Sequence, residues 1–124
     1  MRPLPLIALV ALLVPVACGR SDRAHDSAPE APIPRLDLSK IPEDLRPLVP
    51  IVQEWGIGDD VDRGHKVDGA SPEERQRLRQ ALTPHQTRIT AWLDSFGRGA
   101  MPAEAAAFMY TQLALDEIDA AEGR

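Results

Sequence analysis

The sequence has one cysteine, Cys18, in 124 residues. An internal disulfide is therefore excluded, as is a zinc site built on several cysteines. It has no excess of positive charge: 14 Lys and Arg stand against 19 Asp and Glu, a formal charge of −5. That balance argues against nucleic-acid binding through a basic face. Its histidines, His25, His65 and His85, are too scattered to form a ligand cluster. No apolar run reaches the roughly 20 residues that cross a hydrocarbon core as a helix. A G-x-S-x-G elbow is missing, and Gly56 and Gly58 lack the Lys-Ser/Thr that follows a phosphate-binding loop. No stretch alternates apolar and polar residues as a half-buried strand does. These absences leave no catalytic residue, no metal ligand and no cofactor-binding residue to nominate.

What is present begins at the N-terminus. The opening MRPLPLIALVALLVPVAC carries one positive charge, Arg2, followed by an apolar run over residues 4–17. Fourteen residues are too few for a membrane span and match the apolar region of a secretion signal. A buried domain helix fits poorly, because Pro3, Pro5 and Pro15 interrupt the run and it has no polar face. The run ends in Val14-Pro15-Val16-Ala17-Cys18-Gly19. This stretch resembles the lipobox of bacterial lipoproteins, with Pro15 where that family usually has leucine. The resemblance implies cleavage after Ala17 and a lipid-bearing thiol at Cys18, so that residues 1–17 are a signal peptide. It further implies a membrane partner reached through the lipid. Gly19, in place of the Asp that retains lipoproteins at the inner membrane, implies the outer membrane if the host is Gram-negative. The resemblance covers about twenty residues and says nothing about the rest of the chain.

Residues 19–40, GRSDRAHDSAPEAPIPRLDLSK, are polar, rich in Ala and Pro, and free of aromatic residues. Such a segment buries too little apolar surface to offset the entropy of ordering it. We expect residues 18–40 to form a disordered linker behind the lipidated cysteine, stiffened by Pro29, Pro32 and Pro34. The alternative is that residues 33–38 lie across the domain surface.

Residues 41–124 read as a small all-α domain, a bundle of four or five short helices. Ile41, Leu45, Leu48, Val49, Val52 and Trp55 recur at helical spacing. Because Pro42, Pro47 and Pro50 interrupt this stretch, we expect a turn at 42–46 and a helix over 47–55 with Pro47 in its first position. Gly56 and Gly58 stop it. Asp59 and Asp60 open a further helix that Gly64 and Gly69 keep short. Ser71-Pro72-Glu73-Glu74 is a stronger start, with Ser71 as cap and Glu74 completing a capping box for a helix to about Leu82. That helix is expected to bury Leu78, Ala81 and Leu82 and to expose Arg75, Arg77 and Arg79. Thr83-Pro84-His85-Gln86 repeats the signal. Ile89, Trp92, Leu93 and Phe96 then form an apolar stripe. Pro102 starts a last, Ala-rich helix to about Ala121, whose Phe108, Met109, Leu113, Leu115 and Ile118 spread over more than half its circumference. Such a helix belongs at the centre of the bundle.

The densest polar stretch is residues 59–68. Aligned with a calcium-binding EF-hand loop, Asp60, Asp62 and Asp68 fill the first, third and ninth positions and Val67 the apolar eighth. Gly64, His65 and Ser71 stand where the fifth ligand, the turn glycine and the bidentate glutamate belong. A capped, solvated turn is the competing reading. Arg75, Arg77 and Arg79 read as an exposed helix face able to meet anionic headgroups. Asp116, Glu117, Asp119 and Glu122 read as a solvated face or a frayed tail. Together these features suggest a lipid-anchored cell-envelope protein whose domain binds an unidentified protein partner in a groove near Trp55 and residues 56–70. The alternative is a weak divalent-metal or small-ligand module using the loop of Asp59, Asp60, Asp62 and Asp68. A hydrolase with a site assembled only in three dimensions is the third reading.

Overall fold

Three prolines within nine residues decide how the folded body begins. Pro42, Pro47 and Pro50 each lack an N–H. The chain therefore runs from Glu43 to Leu48 as a 3₁₀ helix, with Leu45 N–H donating to Pro42 O at 2.9 Å. The α-helical pattern starts only at Val49, where the last proline falls in the first turn and its missing N–H costs nothing. The expected start at Pro47 is thus two residues early. This is α1 (Val49–Trp55) in the computed structural model, which describes residues 33–124.

Four further helices follow: α2 (Asp60–Gly69), α3 (Pro72–Leu82), α4 (Gln86–Asp94) and α5 (Ala103–Ala121). The described residues contain no strand, and none of their helices is long and apolar enough to cross a membrane. The all-α bundle holds. Asp59 caps α2 by accepting from Val61 N at 2.9 Å and Asp62 N at 3.0 Å. That helix passes straight through Gly64, because the cap and burial of Arg63 and Val67 outweigh a glycine penalty of about 1 kcal/mol. Ser71 Oγ accepts from Glu74 N at 3.1 Å, and α3 starts and stops where its sequence signals place it.

The junction of α3 and α4 departs from expectation. Thr83 does not cap α4; it has helical φ and ψ as the last link of α3, whereas a side-chain cap needs extended backbone. A 3₁₀ turn over Thr83–His85 carries the chain into α4 with no capping side chain. Gly97 then reverses direction in the left-handed region, φ +57°, which a residue with a Cβ adopts only with strain.

Helix α5 is the axis of the bundle and touches each of the other four helices. Glu104, Phe108, Thr111, Leu115 and Ile118 recur at three- and four-residue spacing and are all buried. Buried Ala105, Ala107 and Ala114 widen that stripe with small side chains that let neighbours come close. Met109 and Leu113 were expected in the packing and lie instead on the opposite, outward face, 37% and 39% exposed. Trp55, Trp92 and Phe108 are buried, and Phe96 is half-buried. Trp92 meets Phe108 edge-on at 5.3 Å between centroids and Phe96 at 5.9 Å. Arg88 of α4 holds Asp44 of the 3₁₀ helix at 2.8 Å, a hydrogen bond that keeps the Asp44 carboxyl below the usual carboxylate range.

Gly56 ends α1 with a negative φ of −76°, so its role is closeness. A Cβ there would lie 2.7 Å from Val52 O and 2.9 Å from Ala107 O. Both are backbone atoms that cannot swing away. We expect Gly56→Ala to lower stability by about 1–3 kcal/mol through overpacking, read as the midpoint of urea unfolding. Trp92→Ala removes the ring between α4 and α5 and should cost about 3–5 kcal/mol; an unchanged thermal melt would contradict the packing described.

Candidate functional site

The connector between α1 and α2, residues 56–58, runs beside the N-terminal half of α5. Gly58 brings it so close that a Cβ would stand 3.0 Å from the Tyr110 ring. A groove of about 200 Å³ opens here, lined by Gly56 and Gly58, by Ala103, Ala106 and Tyr110 of α5, and by the incoming chain at Ile33, Pro34 and Leu36. It lies where a groove was expected from the sequence, but Trp55 does not line it. Trp55 is buried in the core, with Lys66 Nζ 4.8 Å from its ring centroid. Lys66 also pairs with Glu54 at 3.3 Å.

Residues 33–37 cross the bundle surface as an extended strap, so the expected disordered linker is corrected over its last eight residues, 33–40. Leu36 is buried at 7% exposure, and residues 38–40 form a 3₁₀ turn capped by Asp37. Two side chains read the backbone of the strap. Gln53 Nε2 donates to Ile33 O and Pro34 O, both at 3.0 Å, and Gln53 Oε1 accepts from Leu36 N at 3.4 Å. Glu104 Oε1 accepts from Asp37 N at 3.1 Å. The other Glu104 oxygen, Oε2, is buried without a hydrogen-bond partner among the described residues. Burying Leu36 contributes about 1.5–3 kcal/mol and each bond about 0.5–1.5 kcal/mol net. Ordering five residues costs about 1–2 kcal/mol apiece. The two sides are comparable, which sets the strap near the balance between held and released.

The stretch 59–68, read as an acidic loop, is helix α2 and its cap. Asp59 is spent on capping, and Asp60 pairs with Arg63 at 2.6 Å. Asp62 lies two residues from Asp60 and so on another side of the helix, and Asp68 is exposed two turns further on. The helix does not bring these carboxylates together. No three His, Cys, Asp or Glu side chains among the described residues are placed to hold a metal ion. Cys18 and His25 lie outside the described residues, His65 is exposed and His85 half-buried.

Arg63 is the residue that sequence reasoning missed here. It is 3% exposed and donates from Nε to Glu117 at 3.0 Å, from Nη1 to Ile57 O at 3.1 Å and from Nη2 to Asp60 at 2.6 Å. Its guanidinium also lies 5.9 Å from the Tyr110 ring centroid. Burial pushes the guanidinium pKa down, and the hydrogen bonds to Asp60 and Glu117 more than offset it, holding it above the ordinary arginine value. A signal existed: Arg63, Val67 and Ala70 share one face at i, i+4 and i+7.

The expected exposed arginine face is also corrected. Only Arg77 is exposed. Arg79 Nη2 holds Asp119 and Glu122, each at 2.7 Å, and Arg75 reaches Val67 O at 3.0 Å and Glu122 at 3.6 Å. Hydrogen bonding to Asp119 is the largest influence on the Arg79 pKa; burial opposes it, and the bond to Glu122 helps hold it above the ordinary arginine value. The acidic C-terminal end of α5 is therefore neither a frayed tail nor a free face: α3 clamps it.

Comparison with protein-family models, with curated proteins and with solved structures finds no match.

Removing Glu117 strips buried Arg63 of its less exposed carboxylate, whereas Asp60, 88% exposed at its side chain, can be replaced by water. We expect Glu117→Ala to cost about 1–3 kcal/mol and Asp60→Ala no more than about 1 kcal/mol. Parallel urea melts give the order.

Proposed function

We propose that this is a lipid-anchored protein of the cell envelope, held in the membrane through Cys18, whose helical domain binds another protein. The observation that carries the reading is position. The only cysteine of the chain directly follows its long apolar run, with Ala17 before it and Gly19 after it. Each buried methylene contributes about 0.8 kcal/mol, so one acyl chain anchors marginally and two or three anchor for good. By the same resemblance, Gly19 directs the protein to the outer membrane in a Gram-negative host, facing the periplasm.

The groove beside Tyr110 supports the binding half of the reading. Its lining is apolar, and the Tyr110 phenol is the one titratable group in it among the described residues. An enzyme pocket instead converges several ionisable groups on one point. Labelled palmitate should incorporate into the wild-type protein and not into Cys18→Ala, and the variant should move from the membrane to the soluble envelope fraction. Identical labelling and fractionation would remove the anchor from the account.

A further inference from the structure

The surface beside the groove already holds a ligand of a kind. Gln53 bonds to the backbone at three of four successive residues, Ile33, Pro34 and Leu36, and Glu104 bonds to the next N–H. Contacts of this sort recognise any extended chain, and selectivity then falls to the buried Leu36 and to Pro34, which fixes the backbone ahead of it. The fit is incomplete in two places. Space of about 200 Å³ stays open beside Pro34 and Leu36, and the second oxygen of Glu104 has no donor among the described residues. The strap is an imperfect occupant of its own site.

We propose that residues 33–37 are a displaceable internal ligand, and that the surface they cover docks an extended segment of a protein partner. The partner segment carries a proline two residues before a leucine, reproducing Pro34 and Leu36, and offers Gln53 and Glu104 the same backbone groups. The inference rests on the reading of the domain as a protein-binding module and names the chemistry of what it binds. It does not depend on the lipid, so palmitate labelling and the experiment below fail separately.

The probe is a fluorescent peptide of residues 33–39, titrated against the full-length chain in detergent. Leu36→Ala weakens the strap in the protein and should raise apparent affinity about ten-fold over wild type, because a site closed nine-tenths of the time loses that factor. A peptide carrying Leu36→Ala should bind more weakly than the unmodified form, and adding Gln53→Ala to the Leu36→Ala protein should abolish binding. Should Leu36→Ala fail to fold, wild type still decides. Saturating peptide should speed hydrogen exchange at the Leu36 and Asp37 amides several-fold and leave the core Leu78 amide unchanged. Absence of binding to the variant, with unchanged exchange in wild type, would overturn the proposal. A doubling of particle mass with protein concentration, in place of peptide binding, would also overturn it and assign the surface to a second copy of this chain.

Discussion

A buried arginine organises this small bundle. Arg63 sits where the helical pattern of α2 calls for an apolar side chain. An unpartnered charge there would cost several kcal/mol. The chain can bury it only by bringing three oxygens to it at once, from Asp60 on its own helix, from Glu117 on α5 and from Ile57 in the connector. That requirement fixes more than an apolar contact would. An apolar side chain tolerates sliding, whereas a planar guanidinium with three directed partners sets both the register of α2 on α5 and the path of residues 56–58. The connector forms one wall of the groove, so the shape of the candidate binding surface is set by an ion pair one layer behind it.

The rest of the packing follows from closeness. With 4% aromatic residues, the core cannot rely on many large rings and instead draws its helices together over alanine and glycine. Gly56 against Ala107 is the tightest example. Charge then secures the two ends of α5, for different reasons. At the N-terminus Glu104 lies in the first turn, where negative charge suits the helix dipole, and it also binds the strap. At the C-terminus Asp119 and Glu122 oppose the dipole and would loosen the last turn. Arg75 and Arg79 from α3 reverse that penalty and join the third helix to the fifth where the apolar stripe runs out.

How much of this the sequence discloses depends on the range of the interaction. Signals that act within one turn were legible: the Asp59 and Ser71 caps, the stop at Gly56 and the start after Pro102 all stand where the residues place them. The stripe of Ile89 and Trp92 was legible too, since periodicity alone gives a buried face. Thr83 shows the limit of local grammar, because the same letters that spell a capping box are overridden when the preceding helix has not yet ended. Partners from distant segments were not legible. Arg75 and Arg79 look solvated until α5 is laid beside them, and nothing near Gln53 or Glu104 says that each will hold an extended strand 17 or 67 residues away. Of the candidate site, the glycine-rich connector could be read as a surface feature. The strap was legible only as the alternative course of residues 33–38 across the domain surface, because a segment poor in apolar residues is ordered here by one leucine and two polar side chains.

Under the proposed anchoring and docking, the strap would link the address of the protein to its binding surface. The described chain begins at Ile33, on the rim of the groove. If Cys18 carries the lipid, the path from membrane to domain passes directly through the residues that Gln53 and Glu104 hold. Fourteen residues, 19–32, then separate anchor from rim, and fully extended they reach no more than about 50 Å. A partner bound in the groove would therefore lie close to the membrane surface. Displacing the strap would release residues 33–37 from the bundle, adding up to about 18 Å of chain at full extension. On these two proposals, occupation of the groove and reach from the membrane would be coupled through one short stretch of chain, because a residue cannot be both docked on the bundle and part of the spacer.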